Sequence, residues 1–127
     1  MLAPLKVRSF QSNIWLRRRI LSFGSAICCP SVAYVPDNLE KPLFLTDFKT
    51  DEDWEVWERF SRLEGEFVYI PKPLMAHRIH SDSETSAMIA DGVRSKEDLE
   101  MYCRFWPKPI ALLLAGLYKN SEKIYVK

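Results

Sequence analysis

The sequence predicts a mixed α/β fold, and its apolar patterns lead to that prediction. Residues 26–35 and 66–79 are rich in apolar and β-branched side chains, which is typical of buried strands. Residues 51–63 place apolar side chains at helical spacing, and a long apolar tail closes the chain. We therefore expect a small sheet flanked by helices at 12–22, 51–63 and 96–119.

Length and composition indicate a single domain over residues 1–127, with residues 95–127 as a C-terminal helical tail. The net charge of +1 does not favour nucleic acid as a partner. No stretch reaches the ~18–20 apolar residues that a membrane span needs, and no signal peptide follows Met1. The sequence thus predicts a cytoplasmic protein without a transmembrane segment, and peripheral contact with a membrane stays open.

The cysteines do not form the pattern of a disulfide framework. Cys28 and Cys29 are adjacent, and Cys103 makes the number odd. We expect all three to be small buried side chains in a reducing compartment.

The first predicted helix, 12–22, has Ser12 or Asn13 as its N-cap and stops before Gly24. It contains the basic run Arg17 to Arg19. We interpret this run as the solvated face of the helix, with a phosphate site as the alternative.

The second helix, 51–63, carries Trp54, Trp57 and Phe60 on one face and charged residues on the other. Thr50 is its expected N-cap and Gly65 its expected C-terminal stop.

The tail is expected to form two helices, because Pro107 and Pro109 interrupt it. Ser95 and Asp98 have the spacing of a capping box at its start. The second helix, IALLLAGLYKN, is apolar almost all round, so another surface should cover it.

Three acids, Asp51, Glu52 and Asp53, begin the tryptophan-rich helix. Acids at this end of a helix are stabilised by its dipole, so the pattern alone favours a capping role. One of them could also serve as a general base for an attacking hydroxyl. A third interpretation is a D-x-D metal site, which ranks below the base because such a motif normally ends a strand.

Four ordered segments together resemble the C-terminal half of family-two glycosyltransferases of the GT-A fold. The segments are FGSAICCPSVAYV, DEDWEVWERFSRLEGEFVYIPKPL, HRIHSDSETS and GVRSKEDLEMYCRFWP with YKNSEKI. The resemblance runs from Phe23 to Lys123. It implies a partial GT-A-like domain, with a small sheet and flanking helices.

The resemblance also implies roles for residues of the second helix. Asp53 matches the catalytic base of the family, and Glu52 matches its acidic neighbour. Trp54 matches an aromatic residue that shapes the acceptor pocket. Arg59 matches an arginine that either orients the acids or packs against the helix.

The HRIHSDSETS segment implies contacts with the diphosphate. His80 matches a histidine near the metal and the diphosphate, and imidazole is a ready metal ligand. Arg78 is expected to pair with the diphosphate or with carboxylates. A loop histidine without a function remains the alternative for His80, and His77 is expected to be buried or at an edge.

The implied reaction transfers a sugar, with inversion, from a nucleotide diphosphate-sugar to a hydroxyl of a glycan or lipid-linked acceptor, in cell-surface polysaccharide biosynthesis. The complete enzyme would use a divalent metal, Mg or Mn, for which no residue is assigned here. The sequence has no Gly-rich phosphate turn. We therefore expect the N-terminal nucleotide-binding half to be absent and the chain to be inactive alone. The alternative function is a non-catalytic interaction module that forms a homo-oligomer or binds a partner half-domain.

Overall fold

The computed structural model describes residues 2–45, 47–76 and 93–125, and the regular secondary structure in this part of the chain is helical. The α-helices are α1 (Arg8–Gln11), α2 (Ile14–Leu21), α3 (Glu52–Phe60), α4 (Val93–Phe105) and α5 (Lys108–Tyr125). Short 3₁₀ helices lie at Ala3–Lys6, Cys29–Ser31 and Pro36–Asn38.

The predicted α/β fold with a small sheet is wrong for the described residues, which contain no strand. Residues 26–35 hold the 3₁₀ helix at Cys29–Ser31, and residues 66–76 have no regular structure. A β-branched, apolar segment becomes a strand only when its backbone pairs with a neighbouring strand. Here the Phe67 N–H donates to the Gln11 carbonyl at the end of α1, with an N–O distance of 2.9 Å. Residues 77–79 of the second predicted strand lie outside the described residues.

Helix α2 begins as its sequence predicts. Asn13 is the N-cap, and its side-chain oxygen accepts the Leu16 N–H at 2.9 Å. The chain leaves α2 through Gly24, whose φ of 137° suits glycine and strains other residues. The predicted start and stop of this helix are both confirmed.

The basic run of α2 is not a solvated face, contrary to expectation. Arg17 is buried and donates to the carbonyls of Leu63 and Gly65, at 2.7 and 3.0 Å. Arg19 lies over the Trp106 ring, 4.7 Å from its centroid. The loop after α3 leaves carbonyls without helical partners, and the guanidinium of Arg17 satisfies them.

The core forms two clusters on either side of α3. In the first, Trp54 packs edge-on against Tyr102 of α4, with ring centroids 5.0 Å apart. In the second, Trp57 and Phe60 pack with Leu21 of α2. The tryptophan-rich face of α3 is therefore buried on two sides, as its apolar pattern predicts.

The charged face of α3 is buried as well. Glu55 and Glu58 are both shielded from water and both form ion pairs. Glu55 pairs with Arg59 and Arg104, at 3.2 and 3.1 Å. The partners of Glu58 are Arg18, Arg62 and Arg104. These pairs compensate for the loss of hydration at the two carboxylates.

The tail divides into α4 and α5 at Pro107, as predicted. Helix α5 packs on the core through Ala111, Leu114 and Tyr118. Its opposite face, however, is exposed at Leu112, Leu113 and Leu117, although the sequence led us to expect cover there. None of the described helices combines the length and hydropathy needed to cross a bilayer.

The cysteines also differ from expectation. Cys28 and Cys103 are exposed and Cys29 is half-buried, and all three carry free thiols. They are not the buried small hydrophobic side chains that the sequence suggested.

Candidate functional site

A cavity of about 340 Å³ lies beside the first turn of α3, and we call it the α3 cavity. The loop after α2, the start of α3, the start of α4 and the middle of α5 all contribute to its wall. Its lining residues are Ser25, Ala26, Ile27, Cys28, Thr50, Asp51, Asp53, Arg94 and Tyr118. The lining combines carboxyl, hydroxyl and guanidinium groups with one aromatic ring, so the surface of the cavity is mainly polar.

Asp53 is the half-buried carboxylate of this cavity. One of its oxygens accepts the Trp54 N–H at 2.7 Å, and the other accepts the Ser25 hydroxyl at 3.5 Å. Burial raises the pKa of Asp53 above its ordinary value, although these two hydrogen bonds and the charge of Arg94 act in the opposite direction. A carboxylate with a raised pKa is a better proton acceptor than one in water.

Arg94, near the start of α4, brings positive charge to the cavity wall. Its guanidinium donates to the Tyr118 hydroxyl at 3.4 Å and lies 5.9 Å from the centroid of the Tyr118 ring. The contact joins α4 to α5 at this wall, and the positive charge of Arg94 acts on both Asp53 and Asp51.

Asp51 has a different environment from Asp53. It is 4% exposed, and its carboxyl shares a hydrogen bond with Asp98 of α4, which is 2% exposed. Burial, together with the charges of Asp98 and Glu97, raises the pKa of Asp51 to about 8, while Arg94 acts to lower it. The Asp51 and Asp98 carboxyls therefore retain a proton between them at neutral pH, so Asp51 serves as a buried hydrogen-bonding group in this wall and not as a base.

The turn before α3 is held by Glu97 and not by a local cap. Asp51 occupies the N-cap position without a side-chain capping bond, and Thr50 donates its hydroxyl to Glu97 at 2.6 Å. The predicted N-cap role of Thr50 is therefore wrong. The predicted capping box of Ser95 and Asp98 is also wrong, because α4 already begins at Val93.

The other predicted residues of α3 lie outside the cavity lining. Glu52 is exposed at the first position of the helix. Trp54 is 1% exposed, and its indole N–H donates to the Leu21 carbonyl in the core. Arg59 donates to Glu55 and, at 2.6 Å, to the Leu43 carbonyl. Of the residues assigned to the acceptor side, the structure thus brings Asp53 alone to the cavity.

Three predicted residues, His77, Arg78 and His80, lie outside the described residues. Within the described ranges, no three His, Cys, Asp or Glu side chains converge to hold a metal. The D-x-D interpretation also conflicts with Asp51, because its carboxyl is buried and hydrogen-bonded to Asp98. The described residues do not fit a divalent metal site, and we derive no step through one.

Sequence reasoning missed Ser25, Arg94 and Tyr118 as cavity residues, and it missed Glu97 as the group that holds the turn before α3. These residues are distant from the acidic cluster along the chain, so no spacing pattern links them to it. Comparison with protein-family models, with curated proteins and with solved structures found no match for this chain.

Proposed function

We propose that this chain supplies the acceptor side of an inverting glycosyltransferase, with Asp53 as the general base. The observation that carries the proposal is a half-buried carboxylate with a raised pKa on the wall of the α3 cavity. The motif resemblance assigns the same residue to the same role, independently of the cavity. The polysaccharide pathway named above is part of the same proposal.

In this reaction an acceptor hydroxyl enters the α3 cavity beside Asp53. The carboxylate takes the hydroxyl proton while the hydroxyl oxygen attacks the anomeric carbon of the donor sugar. The bond from that carbon to the nucleoside diphosphate breaks, and its electron pair leaves with the diphosphate. Attack opposite the leaving group inverts the anomeric configuration.

The remaining cavity groups suit a sugar acceptor. Arg94 offers N–H donors, and the hydroxyls of Ser25 and Thr50 both donate and accept. The ring of Tyr118 supplies an apolar surface for the C–H groups of a pyranose. The volume of about 340 Å³ lies at the lower end of the range for small-molecule sites, which fits one monosaccharide unit.

The nucleotide-sugar donor is assigned to no described residue, and neither is the divalent metal of the complete enzyme. We therefore expect the purified chain to turn over a nucleotide sugar slowly or not at all without a donor-binding partner. The proposal places the reaction in the cytoplasm, peripheral to a membrane where the acceptor is lipid-linked.

Acceptor binding is tested by titrating the ¹⁵N-labelled chain with a panel of neutral mono- and disaccharides. We expect at least one saccharide to shift the amide signals of Ser25, Thr50 and Asp53 in a saturable manner. Arg94→Gln should weaken that binding, whereas Arg8→Gln at an exposed position should not. The acceptor proposal fails if no saccharide in the panel shifts these signals.

A self-associating module is the second candidate, and the exposed face of α5 favours it. Leu112, Leu113 and Leu117 are all more than half exposed on a helix whose other face is in the core. Contiguous apolar surface of this kind is typical of contact sites between proteins. Sedimentation at several concentrations tests this candidate, and a monomer at every concentration would contradict it.

A further inference from the structure

We propose that Glu97 is a positioning residue for Asp53: a carboxylate from α4 fixes the turn that places Asp53 in the wall of the α3 cavity. The proposal rests on the proposed role of Asp53 as a base. The contacts that support it do not depend on that role.

The contacts of Glu97 concentrate on three consecutive residues before α3. One carboxylate oxygen accepts the Thr50 N–H at 2.7 Å, the Thr50 hydroxyl at 2.6 Å and the Asp51 N–H at 3.1 Å. The other accepts the Lys49 N–H at 3.0 Å. Glu97 is 9% exposed, so water competes little for these donors.

These bonds hold the turn that leads into α3, and one of them reaches its N-cap residue, Asp51. Backbone N–H groups at the start of a helix have no partners within the helix and are usually capped by a neighbouring side chain. The Asp51 side chain makes no such bond. Glu97 accepts the N–H of this N-cap residue, and within the first turn the Asp53 carboxylate accepts the Trp54 N–H. Although burial acts to raise the pKa of Glu97, the bonds from Thr50, Lys49 and Asp51 outweigh it and lower that pKa. Glu97 is therefore an anion at neutral pH.

Asp98, the next residue of α4, also contacts the turn before α3. Asp98 shares a hydrogen bond with Asp51, so two consecutive residues of α4, Glu97 and Asp98, bind the segment 49–51. Asp53 lies two residues after this turn, in the first turn of α3. Its burial and its distance to Ser25 both depend on where the turn lies, so a displaced turn should expose Asp53 to water.

The test compares full-length Glu97→Gln with the unmodified chain by NMR. The amide side chain is isosteric, but it carries no negative charge and directs an N–H₂ group at backbone N–H donors. We expect the pKa of the Asp53 carboxyl, followed by ¹³C chemical shift against pH, to fall toward its ordinary value. Hydrogen exchange at residues 49–51 should accelerate at least about tenfold, as loss of a charge-assisted bond implies. Glu100→Gln, on the same helix at a position 62% exposed, is the matched control and should change neither measurement.

A purely structural role for Glu97 predicts a different result. In that case Glu97→Gln lowers the melting temperature while Asp53 titrates as in the unmodified chain, and the proposal is overturned. If Glu97→Gln does not fold, Thr50→Val removes one bond to Glu97 and keeps the backbone bonds. That variant should shift the Asp53 titration in the same direction by a smaller amount, and an unchanged titration rejects the proposal.

Failure of the proposed function would look different from failure of this inference. If Asp53→Asn leaves sugar transfer intact, the role of Asp53 as base is lost. The effect of Glu97 on the Asp53 titration would still be measurable in the same samples.

Discussion

Asp51 and Asp53 are separated by one residue, yet their carboxyls have different surroundings. Asp51 points into a buried contact with Asp98, whereas Asp53 lies half-buried on the cavity wall beside Ser25 and Arg94. Because α3 begins between them, the two side chains leave the backbone in different directions. Asp51 is therefore a buried carboxyl that shares a proton with Asp98, whereas Asp53 is a half-buried carboxylate on the cavity wall.

The first residue-scale prediction concerns Asp53→Asn. If the proposed function holds, the amide cannot accept the acceptor proton, so turnover of nucleotide sugar, measured with the donor-binding partner present, should fall by about 10²- to 10⁴-fold. The release of nucleoside diphosphate measures that turnover. Asp47→Asn makes the same chemical change at an exposed position and should leave turnover unchanged. Equal turnover in both variants would remove Asp53 from the mechanism.

The second residue-scale prediction concerns Asp51 and the dependence of stability on pH. Asp51 ionises near 3.8 when unfolded but near 8 when folded, so the folded state binds the extra proton between these values. Stability of the unmodified chain should therefore fall as pH rises from about 4 to about 8. Asp98, Glu97 and Arg94 all face this group and contribute to the shift.

In Asp51→Asn the pH-dependent contribution of residue 51 to stability disappears, because the amide donates to Asp98 and does not titrate. As the pH rises from 5 to 9, the unfolding free energy of the variant should increase relative to that of the unmodified chain by on the order of a few kcal/mol. Urea denaturation at each pH measures this difference. Asp37→Asn, at an exposed position, should follow the unmodified chain. An Asp51→Asn curve parallel to the unmodified one would show that Asp51 does not take up the proton.

At the scale of the elements, apolar spacing predicted α2, α3 and the divided tail, because a helix records its buried face in a local repeat. Asn13, Gly24 and Pro107 marked helix ends through properties of single residues. The sheet was predicted wrongly because strand formation depends on a distant pairing partner, which no local pattern reports. The carboxylate that holds the turn before α3 was missed for the same reason, since it comes from Glu97 on a distant helix.

The element-scale prediction concerns the buried carboxylates of α3. Glu58→Ala leaves the guanidinium groups of Arg18 and Arg62 without their shared anion. Since these arginines are partly exposed, we expect a loss of about 2–4 kcal/mol, somewhat below the cost of breaking a fully buried pair. Chemical denaturation measures the loss. Glu64→Ala at an exposed position should cost less than about 0.5 kcal/mol, and a similar loss in both variants would mean that the ion pairs of Glu58 add little.

At the scale of the whole molecule, the α3 cavity is assembled from segments that are distant along the chain. Asp53 could be singled out from the sequence because its local motif carries a resemblance. Arg94 and Tyr118 could not, because their position depends on how α4 and α5 pack against α3. Tertiary packing, and not any local pattern, therefore determines the chemistry around Asp53.

The exposed face of α5 leads to a prediction for the molecule as a whole. Leu113 and Leu117 lie one turn apart on the side of α5 that faces away from Ala111 and Leu114, so a second copy could bury them. If the chain self-associates through this face, Leu113→Asp should shift its sedimentation to that of a monomer, because a carboxylate resists burial in an apolar contact. Val68→Asp places the same charge at an exposed apolar site outside α5 and should leave association unchanged. Association that survives Leu113→Asp, or that is lost equally in both variants, would exclude the α5 face as the specific contact.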